Sequence, residues 1–282
     1  MFQHLPVLLI TAISFGVLGL STHKITDQVK IFGSLIILFP ALLVGISYVV
    51  FIDSFHHFEA VQYSLFNFWW VFLLYAPLVW ISNWFRTRGV FHNNFTSTSI
   101  LINFSIVFSL IIESLFFQNK FSVEIITGVS LLFVAAYLTH TEKISFNTFS
   151  WFILAHCFLA SINRNIDFYL ITNHVNLFTV LFWQEVLIVP ALLILSWNKI
   201  SGSFKYILKD RMALVAMVTA FAAIPFSFIT ATLYGPSETL LSISSGWLVF
   251  GLIENYRSLG INKAKMAVIM ALAFVSIYLM VV

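Results

Sequence analysis

Apolar residues follow one another in ten runs along this chain, each of about twenty residues or slightly fewer, the length that crosses a bilayer as a helix. The runs are Leu5–Leu20, Ile31–Ile52, Phe66–Phe85, Thr98–Phe117, Val123–His140, Ser150–Ile171, Val175–Trp197, Met212–Leu233, Thr239–Tyr256 and Ala264–Val282. The connections are short, and the longest, Asp53 to Leu65 and Lys199 to Arg211, are too small to fold alone. The pattern predicts an all-α integral membrane protein with ten transmembrane helices.

The hairpin from Trp151 to Trp197 departs from the apolar rule, since it carries Asn163, Arg164, Asn165, Asp167, Gln184 and Glu185. An Arg at membrane depth costs at least about 2.5–3.5 kcal/mol on insertion scales, so it needs an acid, carbonyls or water nearby. Asp167 lies one helical turn from Arg164, and Glu185 sits on the returning helix at a similar depth. These residues are expected to line a polar cavity.

The ten runs divide into two fives, residues 1–141 and 142–282. Sliding one half over the other by 141 positions aligns Thr98–His140 with Thr239–Val281 without a gap. Glu113 then falls on Glu254, and Phe133-Val134 with Tyr137-Leu138 falls on Phe274-Val275 with Tyr278-Leu279. Pro40 and Pro77 interrupt the second and third runs, as Pro190 and Pro225 interrupt the seventh and eighth. Five is odd, so two such copies sit upside down relative to each other. Inverted repeats with a site at their interface are a transporter architecture.

Composition narrows the class. Of 282 residues 60% are hydrophobic and 9% charged, with mean hydropathy +0.98; a soluble domain has about 25% charge. The net charge of +3 comes from connections facing a membrane surface and is no nucleic-acid footprint. Cys157 is the single cysteine, so there is no disulfide framework and no cysteine metal site. No cofactor is expected. The segment from Leu5 lacks a basic leader and a small-residue cleavage site, and reads as a retained first helix. Lys24, Lys30, Arg86, Arg88, Lys143, Lys199, Lys205, Lys209, Arg211, Arg257, Lys263 and Lys265 fall on one side of the ten-span scheme, and Lys120 on the other. The positive-inside rule makes the first side cytoplasmic and places both termini outside, in a multi-pass protein of the cell or inner membrane.

The chain resembles the drug/metabolite transporter superfamily, in its EamA-like branch. The resemblance is carried by Ser109-Leu110-Ile111-Ile112-Glu113 and Ile126-Thr127-Gly128 in the first copy. In the second it rests on Gly235-Pro236-Ser237-Glu238, Ser245-Gly246-Trp247-Leu248, Gly251-Leu252-Ile253-Glu254 and Tyr278. The sequence departs from that pattern in Ser114 and Asn255 after the two glutamates, and in lacking a Pro in the fourth run and a Gly before Glu113. The resemblance implies a pocket walled by the first four helices of each copy, peripheral fifth and tenth helices, and alternating access for small metabolites. It also implies cytoplasmic termini, against the charge distribution.

Candidate site residues each carry two readings. Arg164 either holds two helices together through Asp167 or Glu185, or anchors an anionic substrate group. Glu185 is either a fixed partner of Arg164 or a proton carrier that couples transport. Asn163, Asn165 and Gln184 could bond a substrate or one another. Trp183, Trp247, Tyr48 and Tyr75 either wall the pocket, where they could hold a cation, or pack elsewhere and face lipid. Glu113 and Glu254 share a structural or gating role, and the four prolines are static kinks or hinges. Trp80, Trp84, Trp151 and Trp197 read as interfacial anchors. Asp53 through Glu59 gathers His56 and His57 in a surface loop with little capacity for a metal.

The expected function is secondary transport of a small polar or amphipathic metabolite, with no catalytic residues. The alternatives are a flippase for a lipid-linked sugar or amine, and a polytopic membrane enzyme built on His56, His57 and Glu59. A non-transporting assembly partner would need a dry centre. Expected partners are the bilayer and the small-molecule substrate, with a homodimer left open.

Overall fold

The computed structural model describes residues 5–30, 32–93, 95–117, 122–139, 147–255 and 262–279. The helices are α1 (Leu5–His23), α2 (Asp27–Lys30), α3 (Gly33–Phe51), α4 (Glu59–His92), α5 (Phe95–Leu101), α6 (Phe104–Phe116) and α7 (Val123–Thr139). They continue as α8 (Thr148–Thr172), α9 (Leu177–Lys209), α10 (Arg211–Leu233), α11 (Pro236–Asn255) and α12 (Lys263–Tyr278). No strand occurs among the described residues. Among the described residues, five stretches are long and apolar enough to cross a membrane: Leu5–His23, Glu59–His92, Ser97–Phe116, Leu177–Ile194 and Arg211–Leu233. Of the features read from the sequence, Ile31, Lys120, His140, Lys143, Tyr256, Arg257 and the last three residues lie outside the described residues. So do the side chains of Lys30, Asn255, Trp197, Lys199 and Lys205.

Each apolar run is helical over most of its described length, with two departures. The fourth run is broken. Asn103 N bonds to Ile100 O, Ser105 N to Ile102 O and Ile106 N to Asn103 O, a tight turn of three-residue bonds between α5 and α6. The helix of the third run, α4, is longer than that run. It begins early because both oxygens of Asp53 accept from the first turn, Ala60 N at 3.1 Å and Val61 N at 3.0 Å. His57 and Phe58 make the preceding corner in the left-handed region. The helix also runs past Phe85, where Arg86 was expected to leave the membrane, because nothing from Arg86 to His92 breaks it. Gly89 instead lets Ile153 of α8 approach closely. Pro40, Pro77, Pro190 and Pro225 all lie inside helices, each removing one backbone donor.

Small and polar side chains set how the helices meet. α8 runs parallel to α5 and α6 and is stitched to them at every turn: Cys157 Sγ donates to Leu101 O at the end of α5 at 3.5 Å, Ser161 Oγ to Ser105 O at 2.6 Å, and Asn165 Nδ2 to Ser109 Oγ at 3.1 Å. α1 and α11 form a second parallel pair. Ser242 Oγ donates to Leu8 O at 2.6 Å, Gly246 lies against the Ala12 carbonyl, and Gly16 lies against Phe250. Small residues that let backbones approach are what membrane helices use for packing, since lipid gives no hydrophobic drive between them. α1 also packs on α10, α8 on α4, α3 on α9, and α7 on α12.

Candidate functional site

Between these pairs is a cavity of about 120 Å³, room for several water molecules. α1, α3, α4, α8, α9, α10 and α11 wall it together with the α5–α6 turn, where Ile102 and Ser105 reach the lining. α7 and α12 supply no lining residue. Irregular backbone at membrane depth is tolerated where it is buried in protein or lines such a space.

One end of the cavity is acidic and hydrogen-bonded. Arg164 Nη1 pairs with Asp167 Oδ2 at 3.0 Å, and its guanidinium lies 5.1 Å from the Phe228 ring centre. Tyr75 of α4 donates its hydroxyl to the other oxygen of Asp167 and lies 3.4 Å from Gln184 Oε1. Of the two acids open to Arg164, the one in contact is Asp167. Glu185 is wholly buried on α9, and its Oε2 has no hydrogen-bond partner among the described residues; Asn163 Oδ1 is likewise unpartnered.

The other end is cationic. Arg86 lies eleven residues beyond Tyr75 on α4, about 16 Å along an ideal helix. It is 6% exposed, lines the cavity, and has its guanidinium carbon 5.6 Å from the centre of the Trp247 ring. Trp247 in turn lies against Gly19 of α1, where a Cβ would meet the indole at 2.7 Å. His156 Nδ1 is held 3.0 Å from both Ser82 Oγ and Ser82 O.

The cavity thus brings together Tyr75, Asn163, Arg164, Asp167, Gln184, Glu185 and Trp247 from among the expected residues. Trp183 and Tyr48 are not in its lining. Trp183 donates Nε1 to Ser64 Oγ at 2.9 Å and packs edge-on against Phe182, while Tyr48 stacks on Phe178. Asn165 serves the α6–α8 contact. Glu113 and Glu254, equivalent in the sequence, are also outside the lining, and they differ in environment. Buried Glu113 accepts from Ser109 at 2.8 Å and from Ser237 at 3.1 Å, tying α6 to α11. Partly exposed Glu254 pairs with Lys24 at 2.6 Å, tying α11 to the end of α1.

Sequence reasoning missed Arg86, His156, Ser82, Asn83 and Ser105 as lining residues. Arg86 had been assigned to a connection because it follows the apolar run; its inward aim depends on α4 continuing for another turn and more.

No family model matches the chain, and no curated protein matches it. Solved structures do match, 24 chains in all. One of them, described only as "Crystal structure of protein", is similar with a TM-score of 0.63 at 10% identity, over 97% of this chain and 94% of its own. At that identity the similarity shows a shared fold alone.

Proposed function

We propose that the protein is a multi-pass membrane transporter that moves a small polar or amphipathic metabolite by alternating access, binding it in the cavity between two inverted five-helix copies. The observation that carries this reading is the cavity, lined by both apolar and polar side chains and carrying Arg86, Arg164, Asp167 and Glu185 in an otherwise apolar chain. Ionisable groups at membrane depth that face a wet space mark substrate and ion paths.

The packing registers support the division at residues 141 and 142. Leu101 at the end of α5, and Ser105 and Ser109 on α6, are each 141 positions before Ser242, Gly246 and Phe250 on α11. They face Cys157, Ser161 and Asn165 of α8, just as the α11 residues face Leu8, Ala12 and Gly16 of α1. One interface therefore repeats the other with the halves exchanged, as a two-fold relation between inverted copies requires. α3 and α9, and α7 and α12, pair with their own counterparts. The same scheme makes α5 with α6 one crossing, giving ten, and fits the resemblance to the drug/metabolite transporter superfamily.

A polytopic enzyme gains no support from the described residues. No three His, Cys, Asp or Glu among them gather as metal ligands, and Asp53, beside His56 and His57, is engaged in capping α4.

The test is transport by the purified full chain in liposomes across a panel of small metabolites. For any solute found to move, Arg164→Ala and Glu185→Gln should each lower the rate at least about tenfold, the scale of losing one charge-assisted bond. Normal transport by both variants would sink this site.

A further inference from the structure

Arg86 is the charged group in the cavity that has no acid beside it. Arg164 is neutralised by Asp167, whereas no described carboxylate pairs with Arg86. Its Nε and Nη2 are both buried and both without a hydrogen-bond partner among the described residues. In a guanidinium these two nitrogens present the side-on edge, two parallel N–H bonds spaced to meet two oxygens of one carboxylate or phosphate. Its guanidinium carbon lies 5.6 Å from the Trp247 ring centre, within cation–π range. A buried cation with unsatisfied donors is costly unless a counter-charge arrives.

We infer that Arg86, which lines the cavity near Trp247 with no described carboxylate beside it, receives the carboxylate or phosphate group of an organic anion. The inference rests on the transporter reading for its physiological meaning, since it names the class of solute carried in that cavity.

Binding is tested without transport, on the purified full chain in lipid-free neutral detergent by titration calorimetry. The probes are benzoate against benzamide, phenyl phosphate against phenol, and short-chain dihexanoyl phosphatidate. At least one anion should bind about tenfold or more tighter than a neutral probe of its size. Arg86→Lys keeps the charge but loses the paired edge, and should weaken that anion at least tenfold; Arg86→Gln should abolish its binding. A preference for phosphatidate assigns the anion to a lipid headgroup and a preference for the aryl anions to a soluble solute, and either supports the site. Equal binding of anions and neutral probes by the wild type, which needs no variant to fold, overturns the inference. So does anion binding indifferent to Arg86→Lys. Binding that passes these tests while liposomes move nothing would defeat the transporter reading and leave the anion site standing. Transport of a solute unaffected by Arg86→Lys would do the reverse.

Discussion

Gly246 shows how far one residue constrains the fold. A Cβ there would lie 1.8 Å from Ala12 O and 2.6 Å from the Ala12 carbonyl carbon. The obstacle is backbone, so no rotamer change relieves it, and α1 would have to move off α11. Gly246→Ala should therefore destabilise the protein by at least about 1–3 kcal/mol, the usual range for overpacking. A thermal midpoint in detergent equal to wild type would mean that the two helices do not touch there. Arg164, Asp167, Gln184 and Glu185 were legible in the sequence for a related reason of contrast: each is a polar residue inside an apolar run, where lipid exposure is too costly to sustain. Arg86 was not legible. A cation at the end of an apolar run is what the membrane surface ordinarily collects, and only the continuation of α4 to His92 turns it inward. Trp183 and Tyr48 illustrate the opposite limit, because position in a run does not tell which way an aromatic ring faces.

At the scale of elements, helix ends do much of the organising. Asp210 caps α10 by accepting from Met212 N at 2.9 Å and Ala213 N at 3.1 Å through one oxygen. Its other oxygen accepts from the backbone and hydroxyl of Thr26, both at 2.8 Å, and so joins the α9–α10 corner to the end of α1. Burial pushes this carboxyl up, but the bonds from Thr26, Ala213 and Met212 outweigh it and hold it below its ordinary 3.8. A depressed folded-state value means that the unfolded chain takes up the proton first. The stabilisation is then complete above pH 3.8 and is lost as the pH falls through the lower folded value. Asp210→Asn keeps an oxygen able to cap α10 but turns an amide nitrogen toward the Thr26 N–H, so it should lower the thermal midpoint near pH 6 by the loss of a bond to a charged group, about 1.5–3 kcal/mol, and the gap to wild type should narrow below pH 3.8. A gap that stays constant with pH would remove the carboxylate from this role. Helix placement itself was largely legible, because apolar runs report it directly. The break at Ile102–Asn103 was not. No Pro or Gly marks it, and what sustains it is tertiary: the Leu101 and Ile102 carbonyls accept from Cys157, and Ile102 O also from Ser244 Oγ at 3.5 Å.

For the whole molecule, the proposed repeat rests in the sequence on paired prolines and a few aligned residues, while the matching contacts needed coordinates, since parallel packing of α6 on α8 leaves no trace in composition. The sidedness of the whole can be argued from both. Lys24 is paired with Glu254, Asp210 is bonded to Thr26, and the Arg88 guanidinium lies 4.7 Å from the Trp84 ring centre, so these belong to helix ends rather than to the cavity. The proposed scheme has five crossings between the corner at Asp53–Phe58 and Lys209, namely α4, α5 with α6, α7, α8 and α9. An odd number puts Glu59 and Lys209 on opposite faces, and the excess of Lys and Arg assigns the Lys209 face to the cytoplasm. Both side chains are exposed, and Cys157 is fully buried and silent to an impermeant thiol reagent. Glu59→Cys should therefore react with a membrane-impermeant maleimide on intact cells, and Lys209→Cys only after permeabilisation. The reversed pattern would give the cytoplasmic termini that the family resemblance implies and would overrule the charge distribution. Reaction of both from one side would break the parity, and with it the inverted copies on which the transporter reading stands.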